Sequence, residues 1–268
     1  MHEKLKHPPV TYVLAQVKFS NIESIERYVA ELQEEIRGEF PLFNKIKVDM
    51  VQIHPNVSPI ASSTINWHFM DKASVLGVLL DNNSITIHTS KYLDFTSLSE
   101  QFEDVLTRFN KKLKIAVSTR IGLRYVNLIP SNVINLVKPE LLGLCDKNNP
   151  ALSLDKFFSK TEVTQESNLG TMNIKSLYFA NKEIMKGIIN SKVTPELSQL
   201  AQFLSFAHHK EVVGESLILD IDHFQIKNTD FSVKNIISQL KDLQEVIYQM
   251  FCFAVTNNAI GKFNETKE

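Results

Sequence analysis

The tripeptide Asp94-Phe95-Thr96 returns as Asp230-Phe231-Ser232, close to half the chain length further on, and each copy stands between a strand-like run and a long amphipathic stretch. An Asp ahead of a helix is common because its carboxylate accepts free backbone N–H groups, and a Phe beside it acts as a hydrophobic staple. Coincidence would account for the tripeptide alone; the order of elements around it argues for duplication. Residues 10–19 alternate, with Val13, Ala15, Val17 and Phe19 on one face and Tyr12, Leu14, Gln16 and Lys18 on the other, the period of a strand. Asn21 is placed to cap a helix whose apolar positions Ile22, Ile25, Val29, Leu32 and Ile36 step by three and four. Strand-like runs follow at 45–53, 64–70, 74–80 and 84–89, the last two joined by the turn-forming Asp81-Asn82-Asn83. The helix after Asp94 has its stripe at Leu98, Phe102, Val105, Leu106, Phe109 and Leu113, with Ser97 and Glu100 spaced as a capping box.

From residue 118 the order recurs more loosely. A strand at 118–129 and a short helix at 133–144, closed by Gly143, precede strand-like runs at 161–167, 172–180, 183–191 and 216–226. Asp230-Phe231-Ser232 then opens a long helix running to about 258, with Val233, Ile236, Ile237, Leu240, Leu243, Ile247, Met250, Phe251 and Val255 inward. The expected fold is therefore α+β: two β-α-β4-α repeats, 1–117 and 118–268, forming one curved antiparallel sheet with its helices on one face. An extra helical segment at about 194–213, from Pro195 to His208-His209, breaks the second repeat.

Composition narrows the function classes. A chain of 268 residues buries enough surface to fold without disulfides or a metal. Its 29 Lys+Arg balance 30 Asp+Glu, and each half is nearly neutral by itself, so neither is a basic nucleic-acid arm or an acidic tail. The 8 glycines occur singly, which excludes the Gly-rich loops that bring backbone N–H groups onto a phosphate, and there is no G-x-S-x-G nucleophile elbow. Cys145 and Cys252 are too far apart for a metal-ligand spacing and read as ordinary thiols. The polar start and the lack of any long apolar window lead us to expect a cytoplasmic protein with no membrane partner.

Pro8-Pro9-Val10, Trp67-x-Phe69, the segment Gly122-Leu123-Arg124-Tyr125-Val126-Asn127 and Leu219-Asp220-Ile221-Asp222 make the chain similar to a family of uncharacterised, sporadically distributed bacterial proteins. Gly-Leu-Arg-Tyr-x-Asn is the most specific of these stretches, and the resemblance covers most of the chain. It brings no activity or catalytic residues with it; its patchy distribution implies horizontally moved genes, as in defence or toxin-related islands. The doubled β-α-β4-α order resembles the TATA-binding-protein-like fold, whose concave sheet face forms a saddle. Fold-level analogy does not carry function.

Candidate site residues come from alternation. Arg120, Gly122 and Arg124 share one strand face, which the repeat places in the saddle beside Gln16 and Lys18. Two arginines so spaced could clamp a phosphate or carboxylate, with Gly122 leaving room for it; equally, they could pair with carboxylates of a neighbouring strand, with Gly122 marking a bulge. Asp220 and Asp222 also share a face and could hold a divalent cation, although a third ligand is missing from the sequence; pairing with Arg120 and Arg124 would account for both constellations. Trp67 and Phe69 fit a core better than a base-stacking platform, and His208-His209 fits a surface better than a metal site. No Ser, Cys or Lys is placed by sequence beside a His and a carboxylate, so catalytic residues, a metal and a cofactor are all unassigned.

The leading expectation is thus a non-enzymatic binding or interaction module, engaging a protein partner or a second copy of itself through the concave face or the segment 194–213. The alternatives are a nucleic-acid-binding protein using Lys18, Arg120 and Arg124, and a metal-dependent enzyme acting on a phosphorylated substrate through Asp220 and Asp222.

Overall fold

Period-two alternation at the start of the chain produces strand β1 (Val10–Phe19), in which Val13, Ala15, Val17 and Phe19 are all buried. The computed structural model describes residues 5–52, 60–143, 157–181, 183 and 214–264. A 3-10 turn over Ile25–Tyr28 leads into α1 (Val29–Ile36), and four strands follow: β2 (Leu42–Gln52), β3 (Ile60–Met70), β4 (Leu76–Asp81) and β5 (Ser84–Thr89). Helix α2 (Phe95–Leu113) precedes β6 (Val117–Pro130), the single turn α3 (Ser131–Ile134) and a 3-10 turn at Pro139–Leu141. Strands β7 (Phe158–Ser167), β8 (Gly170–Phe179) and β9 (Ser216–Asp230) lead to α4 (Val233–Ala254) and α5 (Asn257–Asn264).

The nine strands among the described residues form one antiparallel sheet in the order β2-β3-β4-β5-β1-β6-β9-β8-β7. The two strands that open the halves of the sequence, β1 and β6, are its central pair, with Leu14 opposite Arg124 and Lys18 opposite Arg120. Helix α2 touches α1 and α4, and α4 lies on β6 and β9. Their apolar stripes join Val17, Ile87, Leu123 and Ile221 in one core cluster, so the helices cover one face of the sheet. The stripe predicted for α2 is buried at every position. Trp67 and Phe69 are likewise in the core.

Several local expectations are corrected. Helix α2 starts at Phe95 because Asp94, in extended conformation, is its N-cap: Oδ1 accepts from the Ser97 N–H at 2.8 Å. A carboxylate at the positive end of a helix outcompetes the Ser97–Glu100 capping box expected three residues later in the sequence. Asn21 caps nothing; its amide donates to the Glu23 carboxylate at 2.6 Å, and the helix begins later, through the 3-10 turn. The helix expected at 133–144 is reduced to α3 and the 3-10 turn, with Gly143 at a φ of 80° after it.

The two Asp-Phe-[Ser/Thr] junctions also differ. At the second, Asp230 ends β9 and Ser232 is the N-cap of α4, its Oγ accepting from the Asn235 N–H at 3.4 Å, so the tripeptides stand two positions out of step relative to their helices. The order β-α-β4-α is present in the first half and β-α-β3-α follows among the described residues. The strand expected at 183–191, apart from Glu183, the segment 194–213 and Cys145 lie outside the described residues.

Candidate functional site

On the sheet face opposite the helices, strands β1, β6 and β9 bring Lys18, Arg120, Arg124, Asp220 and Asp222 into one neighbourhood, as alternation predicts. The arginines and aspartates pair with one another. Arg124 donates from Nε to Asp220 Oδ1 at 2.7 Å and from Nη2 to Oδ2 at 2.5 Å, a bidentate ion pair. Arg120 donates from Nη1 to Gln16 Oε1 at 2.9 Å and reaches Asp222 Oδ2 from Nη2 at 3.5 Å, its guanidinium lying 4.3 Å from the Phe224 ring centroid. Gln16 in turn donates to Thr86 Oγ1 at 3.0 Å. Lys18, opposite Arg120, makes no ion pair among the described residues.

Gly122 does not hold open a ligand space. A Cβ there would come 2.8 Å from Arg120 Nη1, because the guanidinium of Arg120 is folded across it. Nor does Gly122 mark a bulge; the register slips between Ser118 and Arg120 instead. The charges follow from burial and pairing. Burial opposes the charge on Arg124, but its hydrogen bonds to Asp220 and the charge of that carboxylate outweigh it and hold the guanidinium above its ordinary value. Burial pushes Arg120 down, and it raises Asp222 despite the nearby arginines. This face is not open to solvent around the pair: Tyr12, His88, Val126, Ile218 and Asp220 are all buried. Both oxygens of Asp220 are committed to Arg124, and no group of three or more His, Cys, Asp or Glu stands together for a metal among the described residues.

An open space lies elsewhere, beside the helices. A cavity of about 340 Å³ is bounded by the N-terminal arm at Leu5, Pro8 and Pro9, by the entry to α2 at Tyr92, Asp94 and Phe95, by Tyr125 and Asn127 of β6, and by Lys241, Glu245, Tyr248 and Phe251 of α4. Its floor is a pair of phenols, Tyr92 and Tyr125, whose hydroxyls stand 2.9 Å apart with the rings edge to face. Burial pushes Tyr92 up to about 12 and Tyr125 well above its ordinary value, with the Asp94 charge acting in the same direction. Both stay protonated, which suits fixed hydrogen-bonding groups and not a general base. Asn127 donates to the Leu219 carbonyl at 3.2 Å, while a bulge between Val10 and Tyr12 adjusts the strand at the cavity's edge.

Sequence reasoning missed this cavity because Tyr92, Tyr125 and Tyr248 are isolated aromatics, the first in the loop before α2 and the others on β6 and α4. A signal was nonetheless present. Three of the stretches that carry the bacterial resemblance meet here: Pro8-Pro9-Val10 and Tyr125 with Asn127 line the space, and Leu219 receives the Asn127 bond. No protein-family model matches the chain, and no match is found among curated proteins.

Proposed function

We propose that this chain is a cytoplasmic, non-enzymatic binding module belonging to the mobile bacterial family it resembles, and that it holds its ligand or partner in the cavity between α2 and α4. The observation that carries the reading is the cavity itself, of about 340 Å³ with apolar walls and a few converging polar groups, the usual make-up of a binding site. Its two paired phenols are protonated and its Asp94 is engaged as a helix cap, so these groups are suited to holding and not to proton transfer. The pairing of Arg120 and Arg124 with Asp222 and Asp220 supports this reading over nucleic-acid recognition, which needs unneutralised positive charge, and over a metal site, which needs free carboxylate oxygens. No helix among the described residues is long and apolar enough to cross a membrane.

Native mass spectrometry of the chain purified from its own host, beside a Tyr248→Trp variant that fills the cavity from α4, tests the proposal. A bound species on the wild-type chain that is depleted on the variant is the expected result. Equal retention by both, or turnover of the bound species by the purified chain, would overturn it. Gene neighbourhood tests the defence-related setting: housekeeping neighbours throughout would remove that part. The nucleic-acid alternative would need oligonucleotide binding at low salt that weakens steeply as salt rises.

A further inference from the structure

We propose that the cavity between α2 and α4 takes a small organic cation, an ammonium group joined to an apolar or aromatic body. This deepens the binding-module reading and rests on it. Five aromatic rings line the one space: those of Tyr92, Tyr125, Tyr248, Phe95 and Phe251. Ring faces carry the negative part of a quadrupole and attract a cation within about 6 Å of the centroid. Two carboxylates, Asp94 and Glu245, against one ammonium, Lys241, leave the described lining acidic. The depth of these groups adds to the asymmetry. Lys241 and Glu245 are exposed on α4, whereas Asp94 and Tyr92 are half-buried and Tyr125 is buried, so the deeper charge is negative.

The nearby helix end does not reverse this. A helix N-terminus by itself favours anions, but Asp94 already occupies that of α2, its Oδ1 accepting from the Ser97 N–H at 2.8 Å. An anionic ligand would therefore meet a carboxylate at that helix end, where a cation meets an opposite charge, and Leu5, Pro8 and Pro9 supply apolar contact for its body.

Calorimetric titration of the full chain with 2-phenylethylamine, 2-phenylethanol and 3-phenylpropanoate compares a cation, a neutral molecule and an anion of similar shape. The amine is expected to bind roughly tenfold more tightly than the alcohol, with the acid weakest. Asp94→Asn keeps a side chain that caps a helix as well as Asp does but lacks the charge. Combined with Glu245→Gln it is expected to remove most of the amine's advantage over the alcohol. Equal binding of amine and alcohol by the wild-type chain, or an amine preference untouched in the double variant, overturns the cation assignment and leaves the cavity a binding site. No binding by any of the three probes overturns the cavity reading as well.

Discussion

Two neutral imidazoles 2.8 Å apart can share only one proton, and His68 and His88 meet in that way through their Nε2 atoms on strands β3 and β5. Burial pushes His88 down to about 3, helped by His68, and burial lowers His68 too. Tyr12 stacks on His88 at 5.5 Å between ring centroids, closing the pair in from β1. Because the unfolded chain takes up protons near 6.5 while folded His88 does so only near 3, stability is full above 6.5 and is lost as the pH falls between those values. His88 alone should cost about 2 kcal/mol at pH 5 relative to pH 7.5. His223, buried and also held below its ordinary value, acts in the same direction. Urea unfolding at the two pH values checks this: in His88→Phe the pH-dependent loss should shrink by roughly that amount, and an unchanged loss would refute it. The Arg124–Asp220 pair makes a second prediction at this scale. With 17% and 5% of their side chains exposed, removing one partner strands a buried charge. Arg124→Met or Asp220→Leu should each destabilise by about 3 kcal/mol, while the double variant costs less than either. Strictly additive losses in urea midpoints would show that the two groups do not depend on each other.

Among elements, helix α2 was the most legible and its ends the least. Leu98 through Leu113 repeat at helical spacing for a little over four turns, and no competing period fits them. Its start was ambiguous because two candidate caps, Asp94 and Ser97, look alike in sequence, and Asn21 before α1 looks like a third elsewhere; which one has extended backbone and a free N–H three residues on is decided by the strands that deliver the chain. The same limit explains the two Asp-Phe junctions, identical as text yet offset by two positions against their helices. Both ends of α2 are testable. Asp94→Ala should lower stability by about 1 kcal/mol, read as a fall in melting temperature. Lys114, the C-cap, sits at φ 53° and ψ 42°, a left-handed conformation that glycine adopts without strain. Lys114→Gly should therefore raise stability by about 0.5–1 kcal/mol, and a fall would mean that the lysine side chain contributes more than its backbone costs.

Across the whole molecule, alternation located the charged face correctly because a strand's period fixes which side chains share a side, whereas the cavity depends on three tyrosines brought together by the loop before α2, by β6 and by α4 from distant parts of the chain. No periodicity within a single element marks such a meeting. Alternation also could not show that the face around Asp220 is buried, which is a property of the assembled molecule. The ends of the sheet pose a further whole-molecule problem, since β2 and β7 are its outer strands among the described residues and an outer strand presents unpaired backbone groups to other chains. On β7, Val163 is 46% exposed, but charged neighbours surround it: Lys160 and Glu162 lie 3.5 Å apart, and Lys175 reaches Glu162 at 3.2 Å from β8. Charge on an edge discourages strand addition between molecules. Glu162→Val together with Glu166→Val leaves 161–166 uncharged and rich in β-favouring residues. Sedimentation velocity across a concentration series should then show larger species than the wild-type chain forms at equal concentration. Unchanged sedimentation would mean that the β7 edge is already covered, and that its charges serve the hairpin with β8 instead of keeping neighbouring molecules apart.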